Sequence, residues 1–192
     1  MTRSREGEKQ TMIPCYVSGK GMFATTTTWT FKTLVIEALE SSGLGYDTRF
    51  RYYQRQFPRM GRAALARLIC DPIEYYDREW PEYFAARRDT RDEVTAATEF
   101  MLARDERFRA EAQVAIYCYD EAGFGSGVNT LRFLSAGKPV LGFYSAERLS
   151  GTLNLSNVLQ LGLEFPRRFT LQRYRQPEEI PGVVLEWLTG HA

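Results

Sequence analysis

The chain has 192 residues, of which 44% are hydrophobic and 26% charged, a composition typical of a globular domain with a substantial core. Its formal net charge of +1 gives no general attraction to nucleic acid, so we expect no nucleic-acid partner. No apolar run approaches the ~20 residues of a membrane span, and the polar start lacks the apolar region of a secretory signal. We therefore expect a cytoplasmic protein without membrane contact, with residues 1–12 as a flexible leader and residues 13–192 as a single domain.

Histidine and cysteine usage narrows the possible chemistry. The one histidine, His191, stands next to the last residue, which effectively excludes triads with a histidine base and metal sites built from several histidines. We expect no metal and no cofactor. The wide spacing of Cys15, Cys70 and Cys118 argues against a disulfide framework or a zinc site, and Cys15 and Cys118 lie in apolar runs typical of core thiols. Acid–base chemistry would have to use carboxylates, tyrosines or lysines.

The first elements in chain order are a strand, a glycine turn and a helix. The strand is predicted over Ile13–Ser18, and the turn is Gly19–Gly21, whose glycines permit close backbone approach. Apolar residues then recur at helical spacing over Trp29–Glu40, after a run of threonines that can cap the helix. We interpret Thr48–Tyr53 as a second strand and Gly61–Cys70 as a short helix.

The rest of the chain predicts alternating helices and strands. Thr90 and Glu93 form a capping box for a long helix. The elements after it are a buried strand at Val114–Tyr119, a glycine-rich loop at Asp120–Gly127, a helix at Val128–Ala136, a strand at Pro139–Tyr144 and a final helix at Glu178–Thr189. This alternation predicts an α/β fold with a doubly wound, Rossmann-like or flavodoxin-like, mostly parallel sheet flanked by helices.

Both glycine turns follow predicted strands, so they should meet at the carboxyl edge of the sheet, where such folds bind ligands. Asp120 and Glu121 follow the carboxyl end of a buried strand, either as ligand-facing carboxylates or as loop caps. Tyr16 and Ser18 lie at a strand end, and Lys20 either meets a phosphate or is a solvated turn residue. A basic stretch over residues 49–67 is either a solvated face or a phosphate-facing patch.

Two segments resemble the nucleoside 2-deoxyribosyltransferases and the related 2′-deoxynucleoside 5′-phosphate N-hydrolases. Tyr16–Phe23 is similar to the first strand and Gly-x-Gly-hydrophobic-Phe turn of that family. Gly123–Val140 is similar to its second signature, in which a glycine-rich loop opens a helix that ends at Gly-Lys before a strand. Asp105 matches the family's substrate-contacting aspartate, and Asn154–Asn157 resembles an asparagine-bearing stretch that can reach a neighbouring subunit's pocket. The resemblance covers roughly Ile13–Asn157, and its middle matches poorly.

The resemblance implies a nucleoside or nucleotide partner, a homo-oligomer, and cleavage or transfer of an N-glycosidic bond. In that chemistry a carboxylate stabilises or captures the sugar as it gains oxocarbenium character. The nucleophilic glutamate of the family corresponds here to Asn129, and the loop aspartate to Gly123. Because an asparagine cannot act as a carboxylate nucleophile, three alternatives are open. Another carboxylate occupies the same space, the reaction takes a different route, or the pocket binds a ligand without cleaving it.

The candidate site residues follow from these observations. The expected catalytic residues are Asp105, Glu121 and Asn129. The expected ligand-binding residues are Tyr16, Ser18, Gly19, Lys20, Gly21, Asp120, Gly125, Ser126, Gly127, Asn154 and Asn157. The sequence thus supports a glycosyl-bond enzyme first, a catalytically inactive nucleotide sensor second, and a partner-binding α/β protein without a small ligand third.

Overall fold

The computed structural model describes residues 11–20, 25–70, 81–82, 85, 92–147 and 155–191. Residues 1–10 of the expected leader, the predicted cap Thr90 and the candidate site residues Gly21 and Asn154 lie outside the described residues. Within the described ranges, none of the helices combines the length and the apolar character needed to cross a membrane.

Five parallel strands form one sheet in the order β2-β1-β3-β4-β5, which confirms the expected α/β doubly wound fold. The strands are β1 (Ile13–Ser18), β2 (Gly45–Asp47), β3 (Val114–Cys118), β4 (Val140–Ser145) and β5 (Phe169–Tyr174). The helices of the described ranges are α1 (Thr26–Ser42), α2 (Thr48–Gln56), α3 (Arg62–Cys70), α4 (Glu93–Glu111), α5 (Phe124–Ser135), α6 (Leu155–Glu164) and α7 (Ile180–Thr189), with a 3₁₀ turn at Pro177–Glu179. The order of the strands reverses between β1 and β3, which makes that junction the topological switch point.

The two faces of the sheet carry different side chains. On one, which we call the aliphatic face, alternate strand residues pack against α1 and α7, among them Cys15, Val17, Ile116, Leu141 and Phe143. On the other, which we call the tyrosine face, Tyr16, Tyr117 and Tyr119 pack with Phe108 and Phe133. Cys15 and Cys118 are buried free thiols, as expected, and burial together with Asp120 raises the pKa of Cys118 to about 12.

The second strand is shorter and earlier than the sequence predicted, because Thr48 begins helix α2. Asp47 causes the change. Its Oδ1 accepts a hydrogen bond from the backbone N of Phe50 at 2.8 Å and caps α2, while its Oδ2 accepts one from the backbone N of Val17 at 2.8 Å. A cap of this kind outweighs the strand preference of the aromatic residues that follow.

The glycine-rich segment also differs from its prediction. Helix α5 begins at Phe124 rather than Val128, so Gly125, Ser126 and Gly127 belong to its first turn. The long helix α4 has Asp92 rather than Thr90 as its N-cap, with Asp92 Oδ1 accepting from Thr95 N at 3.0 Å. Strand β5 and helix α6 had no counterpart in the predicted elements.

Candidate functional site

The two glycine segments meet at the switch point, as the sequence predicted. Ser126 Oγ, in the first turn of α5, donates a hydrogen bond to the carbonyl oxygen of Gly19 at 3.3 Å. A Cβ at position 19 would lie 3.0 Å from Thr28 Cγ2 and 3.3 Å from the Cys118 carbonyl oxygen, so this close approach requires glycine. We call the residues that meet here, Ser18–Lys20 and Gly123–Gly127, the glycine cradle.

The α5 side of the cradle is open. A Cβ added at Gly123, Gly125 or Gly127 would meet no atom of the described residues within 4 Å. Gly123 is the N-cap and provides no side chain to bond the first N–H groups of the helix. Ser126 N donates to the Gly123 carbonyl oxygen at 3.1 Å. The N–H groups before it have no acceptor inside the helix, and together with the helix dipole they favour an anion or another acceptor at this end.

A groove of about 550 Å³ opens between α5 and α6 beside the cradle. Its lining includes Gly123, Gly127 and Asn157, and also Phe124, whose side chain is 90% exposed. Asn157 therefore lines the same groove as Gly123 and Gly127 of its own chain. The volume of this groove is within the range of roughly 300–1,000 Å³ typical of small-molecule pockets.

Asp120 joins the ends of three strands. Its carboxylate is buried, with Oδ1 accepting from Ser145 N at 2.6 Å and Oδ2 accepting from the hydroxyl of Tyr174 and from Cys118 Sγ, the latter at 3.7 Å. These contacts connect the carboxyl ends of β3, β4 and β5. The geometry supports the loop-cap interpretation of Asp120 rather than a ligand-facing role.

Glu121, the next residue, caps helix α1. Its Oε1 accepts from the hydroxyl of Thr25, and its Oε2 accepts from Thr28 Oγ1 at 2.5 Å and from the backbone N atoms of Thr25 and Thr28 at 3.3 Å each. Partial burial raises the pKa of Glu121, but these hydrogen bonds outweigh it and hold the pKa below its ordinary value. The side chain is therefore an ionised carboxylate at the rim of the cradle.

The other two expected catalytic residues, Asp105 on α4 and Asn129 on α5, are bonded to arginines of α4. Asp105 Oδ1 accepts from Arg104 Nη2 at 2.8 Å, and Asn129 Oδ1 accepts from Arg109 Nη1 at 2.7 Å across the α4–α5 interface. Arg109 Nη2 also binds Glu106 at 2.7 Å. Asp105 and Asn129 are thus both held by arginines of α4, whereas Glu121 is held at the start of α1.

A buried lysine is hydrogen-bonded to the β1 side of the cradle. Lys32, on α1, is fully buried and donates through Nζ to the carbonyl oxygens of Lys20 at 3.0 Å and Ile69 at 3.4 Å. Lys20 itself is half-buried, whereas Ser18 and Tyr16 are buried on the tyrosine face. Lys32 ties the first turn to the end of α3, a role that nothing in the sequence indicated.

Comparison with known proteins adds no relative: none of the models of known families matches this chain, and none of the curated proteins shows significant similarity to it. Its function has to be inferred from the side chains and backbone groups of the site. Among the described residues, no group of three or more His, Cys, Asp and Glu side chains is placed to hold a metal ion.

Sequence reasoning singled out neither of two polar side chains near Tyr16: it included Arg49 only as a member of the basic stretch, and it did not consider Tyr117. Arg49 is buried, so this member of the stretch does not belong to a solvated face. The Arg49 guanidinium stacks on the ring of Tyr16, with its central carbon 4.8 Å from the ring centroid. Tyr117 is fully buried in β3. The available signals were an arginine just after a cap aspartate, and tyrosines at positions 117 and 119 on one face of an otherwise apolar strand.

Proposed function

We propose that this chain binds a nucleoside or nucleotide at the glycine cradle. The contact between Ser126 Oγ and the Gly19 carbonyl oxygen carries the proposal, because it brings both family-like segments to one point of the carboxyl edge. Open α/β sheets bind their ligands at such a switch point. The resemblance of Tyr16–Phe23 and Gly123–Val140 to nucleoside-processing enzymes suggests the class of ligand.

The backbone of α5 supplies the chemistry that this ligand needs. Sugar hydroxyls and phosphate oxygens accept hydrogen bonds from the N–H groups of a helix N-terminus. The glycines at positions 123, 125 and 127 leave no Cβ between those groups and an incoming ligand. A ligand can therefore approach the backbone more closely here than it could approach a helix start with ordinary side chains.

Binding without bond cleavage fits the carboxylates best. Asp120 is buried and fully occupied by strand ends, and Asp105 is paired with Arg104. Asn129 replaces the carboxylate that the family resemblance would require, and it is held by Arg109. Under this proposal the chain acts as a nucleotide-ligand sensor.

Cleavage or transfer of an N-glycosidic bond is the second candidate, favoured by Glu121. An ionised carboxylate can stabilise an oxocarbenium-like sugar or capture it. Glu121 is half-buried at the cradle rim and has a lowered pKa, so it is ionised at neutral pH. Its four hydrogen bonds from Thr25 and Thr28 compete with that role.

A matched pair of glycine variants tests ligand binding at the cradle. Gly125→Ala places a methyl group in the open cradle, and Gly182→Ala places one in open space on α7. Both should stabilise the fold by roughly 0.5–1 kcal/mol, because alanine is the better helix former. Calorimetric titration with nucleosides and their 5′-monophosphates should show weaker binding for Gly125→Ala only. Equal affinity in both variants and the native chain would place the ligand elsewhere.

Base release separates the two candidate functions. Incubation with ribo- and deoxyribonucleosides and their 5′-monophosphates, followed by chromatography of the free bases, should show no release if the chain is a sensor. Release that is lost in Glu121→Gln, with ligand affinity retained, would establish the glycosyl-bond enzyme instead. Absence of both binding and release across the panel would overturn the proposed function altogether.

A further inference from the structure

Arg49 and Tyr117 keep buried hydrogen-bond donors that the protein does not use. Arg49 is 8% exposed and Tyr117 is fully buried. Among the described residues, no partner accepts from Arg49 Nε, Arg49 Nη2 or Tyr117 Oη within hydrogen-bond distance. Leaving such groups unpaired costs about 1–3 kcal/mol each, which makes unused donors in one place a sign of an absent acceptor.

The two side chains belong to one place below the glycine cradle. Tyr117 pairs in register with Ser18, the last residue of β1, and both project from the tyrosine face. The Arg49 guanidinium lies over the ring of Tyr16. Tyr16 precedes Ser18 by two residues on β1 and therefore projects from the same face. The ring of Tyr117 lies 6.2 Å from that of Tyr16 between centroids, so Arg49 and Tyr117 are both neighbours of the Tyr16 ring.

Both groups are donors at neutral pH. Burial raises the pKa of Tyr117 well above its ordinary value, so its hydroxyl keeps its proton. Burial alone would lower the pKa of Arg49, but the attraction of Asp47 raises it above its ordinary value. An acceptor between them would receive hydrogen bonds from both a guanidinium and a hydroxyl.

The surrounding charges favour an uncharged acceptor over a phosphate. Each arginine near Tyr16 already has a carboxylate, with N–O distances of 3.9 Å for Arg49–Asp47, 2.8 Å for Arg104–Asp105 and 2.7 Å for Arg109–Glu106. These three pairs leave no net positive charge of their own to offset a buried dianion, whose burial would be costly. A carbonyl oxygen satisfies the donors without that cost.

We propose that Arg49 and Tyr117 form a subsite for the carbonyl oxygen of an oxo-purine or oxo-pyrimidine base. This inference rests on the proposed nucleoside binding and adds the base specificity and the side of α5 on which the base lies. Neither Arg49 nor Tyr117 lines the groove between α5 and α6, so this subsite lies on the other side of α5, where Tyr117 packs with Phe108 of α4. Bases that present an amino group in place of the carbonyl are disfavoured, because the Arg49 guanidinium can only donate and would face a second donor.

Inosine and adenosine are the probes, because they differ in a carbonyl against an amino group at position 6. We expect calorimetric titration of the native chain to show inosine binding roughly tenfold or more tightly than adenosine. Tyr117→Phe should weaken inosine binding about three- to tenfold and leave adenosine unchanged. Tyr119→Phe removes the neighbouring hydroxyl, which binds Thr130 Oγ1 at 2.8 Å, and should leave the preference intact.

Further binding measurements distinguish this subsite from the alternatives. Equal affinity for the two nucleosides, or no effect of Tyr117→Phe on inosine, overturns it, even if nucleosides bind. A loss of inosine binding in Val128→Trp, which fills the α6-side groove, would also overturn it. If no nucleoside binds, the proposed function fails. The subsite is then tested by itself by comparing the affinities of the free bases hypoxanthine and adenine. Inorganic phosphate whose binding is lost in Tyr117→Phe would identify an anion site instead.

Discussion

The two faces of the sheet differ in how completely their buried polar side chains are hydrogen-bonded. At the edge of the aliphatic face, Asp47 and Asp120 are buried and bonded on both carboxylate oxygens. On the tyrosine face, Tyr117 Oη and two nitrogens of Arg49 are buried without hydrogen-bond partners. These are three of the four such side-chain atoms found in the described ranges, and the fourth, Glu40 Oε1, lies near the end of α1 and not on the sheet.

The difference separates stability from binding. A face whose buried polar groups are all hydrogen-bonded contributes to stability through packing and has no free donor or acceptor for a ligand. A face that keeps donors without acceptors gives up some of that free energy, and such losses are concentrated at functional sites. The following changes test the contrast, beginning with the most destabilising.

Phe31→Ala should be the most damaging change, because it removes a large side chain from the aliphatic face. Phe31 is buried on α1, and its ring centroid lies 5.6 Å from that of Phe143. We expect a loss of about 3–5 kcal/mol in the free energy of unfolding, measured by urea titration. Ligand affinity of the folded fraction should stay the same. A loss below 1 kcal/mol would contradict the assignment of the main core to this face.

Asp120→Ala should come next, because it removes the acceptor that joins the strand ends. The backbone N of Ser145 and the hydroxyl of Tyr174 would lose their acceptor. We expect a loss of roughly 2–4 kcal/mol in unfolding free energy, since each buried donor left unpaired is costly. Tyr174→Phe is the control, and it should cost less because Asp120 keeps its bond to Ser145. Equal costs for the two variants would refute this reading of Asp120.

Glu121→Gln should have a smaller and pH-dependent effect. Losing a helix cap at a half-buried position costs about 1 kcal/mol near neutral pH. The hydrogen bonds from Thr25 and Thr28 hold the folded-state pKa of Glu121 below its ordinary value of 4.5. Its contribution is therefore complete above pH 4.5 and lost as the pH falls through the folded-state pKa. Urea unfolding from pH 7 to pH 3 should show the native chain and the variant converging in acid; a constant gap would contradict the capping role.

Tyr117→Phe should have the smallest effect on stability. It removes a buried hydroxyl that has no partner among the described residues, so we expect stability to be unchanged or raised by up to about 1 kcal/mol. Tyr119→Phe, one pleat away, loses the hydrogen bond to Thr130 and should cost about 1 kcal/mol. Thermal unfolding of the two variants ranks them directly. The reverse order would mean that Tyr117 has an internal partner and that the faces do not differ.

Much of the fold was predictable because it depends on local signals. The apolar run at Ile13–Ser18 matches β1 at both ends, and the glycine that stops α1, Gly43, adopts the left-handed conformation with φ 70°. The strand positions and the parallel order then placed both glycine turns on one edge. The predicted strand at Thr48–Tyr53 failed because the side chain of Asp47, bonded to distant Val17, decided that segment.

The sequence by itself determined the class of fold, the burial of Cys15 and Cys118, and the meeting of the glycine segments, since strand periodicity and turn chemistry act over a few residues. Only the tertiary structure decided what each polar side chain does. The adjacent carboxylates Asp120 and Glu121 have different roles, one joining strand ends and one capping α1. The partners that decide these roles, Ser145, Tyr174 and the threonines at the start of α1, lie 25 to 96 residues away. Hydrogen-bond partners at such separations are set by packing in three dimensions, which local patterns do not encode.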